Sequence, residues 1–307
     1  MLAANIIKTA LRKGEKMKHL YGRAVLSFGE IVWDIFSEEK KLGGAPLNFA
    51  YYISKLGGDS RIISAVGDDG LGAEALKVIN SCGIQSGSVK ISRDLPTGRV
   101  IVSENEAGLP CYNICSPAAW DNIQLSADDM DLAEKSGVFV FGSLAQRTDS
   151  NRSSLRKIIS KLPPDAITVF DANIRQNFYS REIIDESMKI ADIVKMNEDE
   201  FPLIAGLYGL SPADSHEETA RKLMGMLKIK YLLLTLGKNG SIVYEDSGRF
   251  VRREGHPIKI VDTVGAGDSF TAAFVWNICC GKTFEYASEA AANLSERVCG
   301  HKGAFCL

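Results

Sequence analysis

A rhythm that begins at Ala24 constrains the fold most: short apolar runs alternate with longer stretches of helical period. The runs fall at 24–28 (AVLSF), 61–66 (RIISAV), 138–141 (VFVF), 167–170 (ITVF), 193–196 (IVKM) and 231–236 (YLLLTL). Helical period is read near 45–56, 69–82, 128–136, 149–161, 181–191 and 215–228. Strands this apolar need cover on both faces, and helices between them supply it, which predicts a mainly parallel α/β sheet. Pro46 suits a first helical turn and Gly83 a helix stop. Two more helices, 267–280 and about 283–298, follow, and Phe270, Phe274 and Ile278 form a core-facing stripe at i, i+4, i+8.

Two segments break the rhythm. Residues 37–44 and 87–115 are polar, extended and rich in turns, and are expected to form a small β-sheet standing off a body made of 21–36, 45–86 and 116–307. The 307 residues suit about two domains or, equally well, one large domain with such an appendage, with no need of a metal or disulfide staple. The 36 Lys and Arg against 38 Asp and Glu give no electrostatic reason to expect nucleic acid or an anionic membrane as partner. Seven cysteines without a C-x-x-C pair, and four scattered histidines, fit neither zinc nor a disulfide framework. They read as reduced thiols of a cytoplasmic protein. Residues 1–20 carry Lys8, Arg12, Lys13, Lys16 and Lys18 against Glu15, and lack the apolar core of a secretory signal. They are expected to be an N-terminal extension, with Met17 an alternative start.

Gly281-Lys282-Thr283 imitates the tail of a Walker loop, but Trp276 stands where that loop needs glycine. No G-x-G-x-x-G follows the first strand, which counts against a dinucleotide site. The strongest motif is DTVGAGDSF at 262–270. Gly265, Ala266 and Gly267 form a small-residue turn at a helix mouth, where backbone N–H groups and the helix dipole can hold an anion. Asp268 sits on that helix's first turn, and a carboxylate beside an anion hole can deprotonate a hydroxyl while the phosphoryl group it attacks is held. Read singly, such residues have plain structural roles: Asp268 an N-cap, Gly237 and Gly240 a hairpin turn, Glu200 a solvated charge.

Three more motifs follow the same design: GGAPLNFA at 43–50, NEDE at 197–200 and TLGKNG at 235–240. With DTVGAGDSF they resemble, in order and spacing over essentially all of 21–307, the ribokinase/fructokinase family of carbohydrate kinases. SPAAWD (116–121), FGSLAQR (141–147) and DANIR (171–175) resemble its fructokinase branch. The resemblance implies a ribokinase-like three-layer α/β/α sandwich with a mainly parallel central sheet and a small β-sheet lid over the sugar. It implies ATP-dependent phosphorylation of a sugar hydroxyl, with D-fructose giving fructose 6-phosphate as the favoured reaction. Other readings are a 2-keto-3-deoxygluconate kinase, a ribokinase or other pentose or nucleoside kinase, and a catalytically silent sugar-sensing binder. The intact Asp268 and G-A-G argue against the last.

By resemblance, Asp268 is the general base, and Gly265, Ala266 and Gly267 are the anion hole. Asp34, Gly44 and Asn48 hold sugar hydroxyls, and Arg175 touches sugar or phosphoryl group. Asn197 and Glu200 order magnesium through water. Thr235, Gly237 and Gly240 line the nucleotide, with Asn293 near the adenine. Asp262 and Thr263, with backbone around Gly303, resemble a monovalent-cation loop, which brings in potassium. A homodimer through the lid is the association expected.

Overall fold

The structure is a computed structural model that describes residues 20, 22–104, 110–211 and 215–306. Apart from Leu20, the extension expected over 1–20 lies outside the described residues. The first half of the chain carries strands β1 (Ala24–Phe28), β2 (Val32–Ile35), β3 (Lys40–Gly43), β4 (Ser60–Gly67), β5 (Val89–Ser92), β6 (Gly98–Glu104), β7 (Pro110–Ile114) and β8 (Ser136–Gly142). The second half carries β9 (Ile167–Asp171), β10 (Ile193–Asn197), β11 (Tyr231–Thr235), β12 (Ser241–Glu245) and β13 (Phe250–Arg253). The helices are α1 (Ala45–Lys55), α2 (Gly70–Ser81), α3 (Ala127–Lys135), α4 (Asp149–Lys161), α5 (Arg181–Ile190), α6 (Glu200–Leu207), α7 (His216–Leu227), α8 (Ala266–Cys279) and α9 (Phe284–Cys299).

Nine strands form the large sheet in the order β13-β12-β11-β10-β9-β8-β1-β4-β5. All its pairings are parallel except those of β12 with β11 and β13. Successive strand residues feed opposite cores. Val138, Val140, Val169 and Leu233 pack with α1, α8 and α9, whereas Phe139, Phe141, Phe170 and Leu232 pack with α4, α5 and α7. Buried runs such as VFVF are apolar throughout because both faces lie under helices. This is the three-layer α/β/α sandwich expected.

The small sheet has the order β3-β2-β6-β7, and its limits differ from those expected. Val32–Ile35 is one of its central strands rather than part of the body, parallel to β6 and antiparallel to β3. Val89–Ser92 leaves it for the large sheet, where it covers the edge of β4. Both are four-residue strands, too short for alternation to reveal which sheet they join. The SPAAWD and FGSLAQR motifs turn out to be mutually buried supports beneath this sheet. The Asp121 carboxylate accepts two hydrogen bonds from Arg147, at 2.6 and 2.7 Å, and the guanidinium stacks on Trp120.

Candidate active site

Strand order runs outward in both directions from β1, which leaves a crevice at the carboxyl ends of β1 and β8. The polar residues gather along that edge: Glu30 follows β1, Arg175 follows β9, Asn197 ends β10 and Thr235 ends β11. Helix α8 reaches the same edge, with Asp268 on its first turn.

The turn before α8 is shaped for close approach. Gly265 is left-handed, with φ 82°, and a Cβ on it would press on Ala304 at 2.9 Å. A Cβ on Gly267 would sit 2.9 Å from Nζ of Lys195. Among the described residues, no hydrogen bond engages the N–H of Gly265, Gly267 or Asp268. These orphan donors, at the positive end of a 14-residue helix, have the chemistry to hold an anion. Ala266 does not share that role as expected: its N–H donates to the Thr263 carbonyl at 3.2 Å, closing the turn.

Asp268 accepts a hydrogen bond from Nδ2 of Asn48 at 2.8 Å. Burial pushes its carboxyl up to about 6, reinforced by Asp171 and opposed by Lys195, Asn48 and Arg175. A base must be ionised to accept a proton, and a pKa near neutrality suits that task better than an ordinary aspartate's.

Asn48 links Asp268 to a second group of atoms. A Cβ built on Gly43 would lie 3.5 Å from Oδ2 of Asp34 and 3.9 Å from Oδ1 of Asn48, and Gly44 packs directly on the Glu30 carbonyl. Oδ1 of Asn48 and Oε2 of Glu30 are buried with no hydrogen-bond partner among the described residues. No hydrogen bond there engages the Asp34 carboxylate either. Burial pushes Asp34 up to about 6, with Lys41 and Arg175 pulling it down and Asp262 pushing it up. Glu30 rises further, to about 7, through burial opposed by the N–H groups of Glu30 and Ala45. Arg175 is exposed, and its charge steadies Asp34, Glu30 and Asp268 alike. The structure therefore brings Asp34, Gly44, Asn48 and Asp268 together, and adds Glu30.

The other expected residues line the opposite stretch. Glu200 is buried, and its oxygens accept the N–H groups of Ile174 and Asn197, both at 2.8 Å. Oδ1 of Asn197 accepts in return from the N–H groups of Asp199 and Glu200. Glu200 is thus no solvated helix charge. Thr235 Oγ1 faces the Met196 carbonyl, and Gly237 packs on Glu198. Gly240, φ 90°, packs so closely on the Arg253 carbonyl that a Cβ would overlap it. Asn293, exposed on α9, accepts from Arg253 at 3.0 Å, which places it beside the same turn. Asp262 and Thr263 differ from expectation. Oδ2 of Asp262 accepts from both Lys41 Nζ and Gly303 N–H at 2.9 Å, and Oδ1 accepts from Val264 N–H at 3.0 Å. Oδ2 already holds the Lys41 ammonium, so a potassium ion at this carboxylate would meet a like charge, and the donor set does not fit one.

Sequence reasoning passed over Glu30, Lys195 and Asp171. Lys195 is 7 % exposed and lies 3.2 Å from the Asp171 carboxylate. Burial works against its ammonium, but Asp171, Glu200 and Asp268 outweigh that and raise its pKa. The signal was a lysine inside the apolar run IVKM, since a charge in a two-faced buried strand needs a partner.

Free helix N–H groups beside a near-neutral carboxylate serve phosphoryl transfer to a hydroxyl. The chain belongs to the pfkB family of carbohydrate kinases, whose model matches residues 13–305. It is 27% identical to a protein of Pyrococcus horikoshii named Putative sugar kinase PH1459 over 271 residues, 83% of this chain and 82% of that one. The solved structure of that kinase in complex with ATP superposes with a TM-score of 0.78 at 26% identity, covering 92% of this chain and 94% of that one. A protein of Arabidopsis thaliana named Probable fructokinase-5 is 29% identical over 273 residues, 82% and 81% of the two chains. The 5-dehydro-2-deoxygluconokinase of Clostridium perfringens is 26% identical over 271 residues, 83% and 78% of the two chains. Among the described residues no helix is long and apolar enough to cross a membrane.

Proposed function

We propose that this carbohydrate kinase transfers the γ-phosphoryl group of ATP to a hydroxyl of a neutral sugar, D-fructose first, releasing fructose 6-phosphate and ADP. One observation carries the reading: the atoms around Gly43 and Gly44 are acceptors without donors, namely the Asp34 carboxylate, Oδ1 of Asn48 and Oε2 of Glu30. Buried acceptors call for donors, and hydroxyl groups supply them. A sugar acid would bring a further negative charge toward two carboxylates. The exposed guanidinium of Arg175 favours a second reading, a keto-deoxy sugar acid, which it could pair through its planar fork.

In either case the ionised Asp268 takes the proton of the attacking hydroxyl. The sugar oxygen bonds to the γ-phosphorus as the bond to the β-γ bridging oxygen breaks and ADP leaves with that electron pair. The N–H groups of Gly265, Gly267 and Asp268 face the transferring group, and Lys195 adds positive charge behind Gly267. Each Glu200 oxygen keeps a lone pair beyond its backbone bond. Glu200 and Asn197 therefore fit a hydrated magnesium ion carried by the nucleotide, which would neutralise phosphate charge. Seven free cysteines suit a reducing compartment, the cytoplasm. Ile101 and Tyr112, 38% and 50% exposed on the small sheet, suit pairing of two copies through the lid.

ADP release measured with fructose, ribose, 2-keto-3-deoxygluconate, 5-dehydro-2-deoxygluconate, adenosine and no sugar tests this. Fructose should be fastest. A sugar acid turned over tenfold faster would transfer the assignment to the acid kinases, and folded protein inert to all would be a sugar-sensing binder.

A further inference from the structure

The loop at Asp262 holds a lysine where the resemblance placed a diffusible cation. Lys41 lies on β3 of the lid, directly across the β2–β3 ladder from Asp34, and its ammonium crosses to Asp262 on the body at 2.9 Å. The two side chains are only 18% and 16% exposed, so solvent screens the pair weakly. Asp34 and Asp262 repel each other, since Asp262 raises the Asp34 pKa while Lys41 lowers it. Burial raises the Asp262 carboxyl, but Val264 N–H, Lys41 and Gly303 N–H overcome this and hold it below the usual range. Removing the ammonium would leave two part-buried carboxylates repelling one another, with the exposed Arg175 steadying Asp34 and only backbone N–H groups steadying Asp262.

We propose that Lys41 replaces a monovalent cation: its tethered ammonium neutralises Asp262 in place of potassium, and the kinase needs no potassium. An ammonium group and a potassium ion carry the same charge and are close in size. The placement reaches the chemistry through Asp262, whose Oδ1 fixes Val264 N–H immediately before the anion-hole turn and whose Oδ2 ties that turn to Gly303. Lys41 is therefore a positioning residue. The inference rests on the family's kinase activity and not on which sugar is accepted.

The test compares wild type with Lys41→Met in potassium chloride and in choline chloride at equal ionic strength, with magnesium fixed, reading both turnover on the best sugar and thermal midpoint. Wild type should be indifferent to the exchange in both. Lys41→Met should lose about tenfold or more in kcat/KM in choline, the size expected when a buried charge loses its partner. It should recover most of that loss in potassium, with a midpoint that rises in potassium only. Wild-type turnover or midpoint raised several-fold or by several degrees by potassium would overturn the proposal, and this arm stands even if the variant does not fold. A folded Lys41→Met as active as wild type in choline, or impaired and blind to potassium, would overturn it equally.

Discussion

The two ends of the cleft present different kinds of atoms to whatever binds there. At the proposed sugar end they belong to side chains: Asp34, Asn48 and Glu30 hold oxygens that meet no hydrogen-bond donor among the described residues. At the phosphate end they belong to the backbone, as N–H groups of Gly265, Gly267 and Asp268 and glycine turns at 237 and 240 pressed on neighbouring chain. Phosphate is common to every reaction of such an enzyme, and backbone donors fixed by the fold can serve it unchanged. The acceptor sugar must be distinguished, and side chains can be exchanged without rebuilding the turns. On the proposed assignment the fold holds phosphate with parts that mutate at a cost to stability, and sugar with parts that mutate at a cost to specificity.

Asp268 stands where the two ends meet, so its loss should produce the largest effect and respect neither end. Asp268→Asn keeps the shape and the contact with Asn48 while removing the base. kcat should fall by about 10²–10⁴, with both Michaelis constants nearly unchanged. A fall under threefold in steady-state assays would place the base elsewhere and leave Asp268 a structural partner of Asn48.

Gly240→Ala probes the backbone end. Its left-handed φ and the overlap with the Arg253 carbonyl predict a loss of about 2–4 kcal/mol. Thermal melts should show it, and in the surviving folded protein the Michaelis constant for ATP should rise while that for sugar stays put. A variant as stable as wild type would mean the turn is not fixed by this packing.

What the sequence disclosed divides along the same line. The large sheet was legible because strands such as VFVF and YLLLT are buried on both faces and leave unbroken apolar runs. The anion-hole turn was legible because tight backbone approach demands glycine at fixed positions. The role of Glu30 was not, because nothing in GEIVWD tells that one oxygen is satisfied by Ala45 and the other by nothing. Lys41 and Asp262 are 221 positions apart, and only the fold joins them. A backbone requirement is written locally, whereas the meaning of a charge is written in its distant partners.

Asp34→Ala probes the side-chain end. The sugar Michaelis constant should rise, with kcat/KM falling roughly 10–100-fold, since an ionised acceptor makes the stronger hydrogen bonds. The constant for ATP, at saturating sugar, should barely move. The pH profile sharpens the test. Both Asp34 and Asp268 titrate near about 6 and both act ionised, so wild-type kcat/KM should be lost on acidification with a slope approaching two. The variant should lose with a slope of one. An unchanged slope would remove Asp34 from the sugar site.

The smallest effect runs the other way, toward stability. Burial lifts Glu30 from its ordinary 4.5 to about 7, so the folded state resists ionising it. Its stabilising contribution is complete below the unfolded value and is lost as pH rises through the folded one, a window from about 4.5 to 7. At pH 8 the charge is present and costs on the order of 1–3 kcal/mol, the upper figure being the whole shift at 1.36 kcal/mol per pH unit. Glu30→Gln keeps Oε1 for the Ala45 N–H and discards the charge. Its melting temperature at about pH 8 should exceed wild type by a few degrees, and at about pH 5 the two should coincide. Sugar affinity should fall at the same time, because an amide N–H₂ then stands where a free acceptor met a hydroxyl. Equal melting at both pH values would show that Glu30 carries no charge against burial. Its free oxygen would then be no part of a site that holds unpaired acceptors for its ligand.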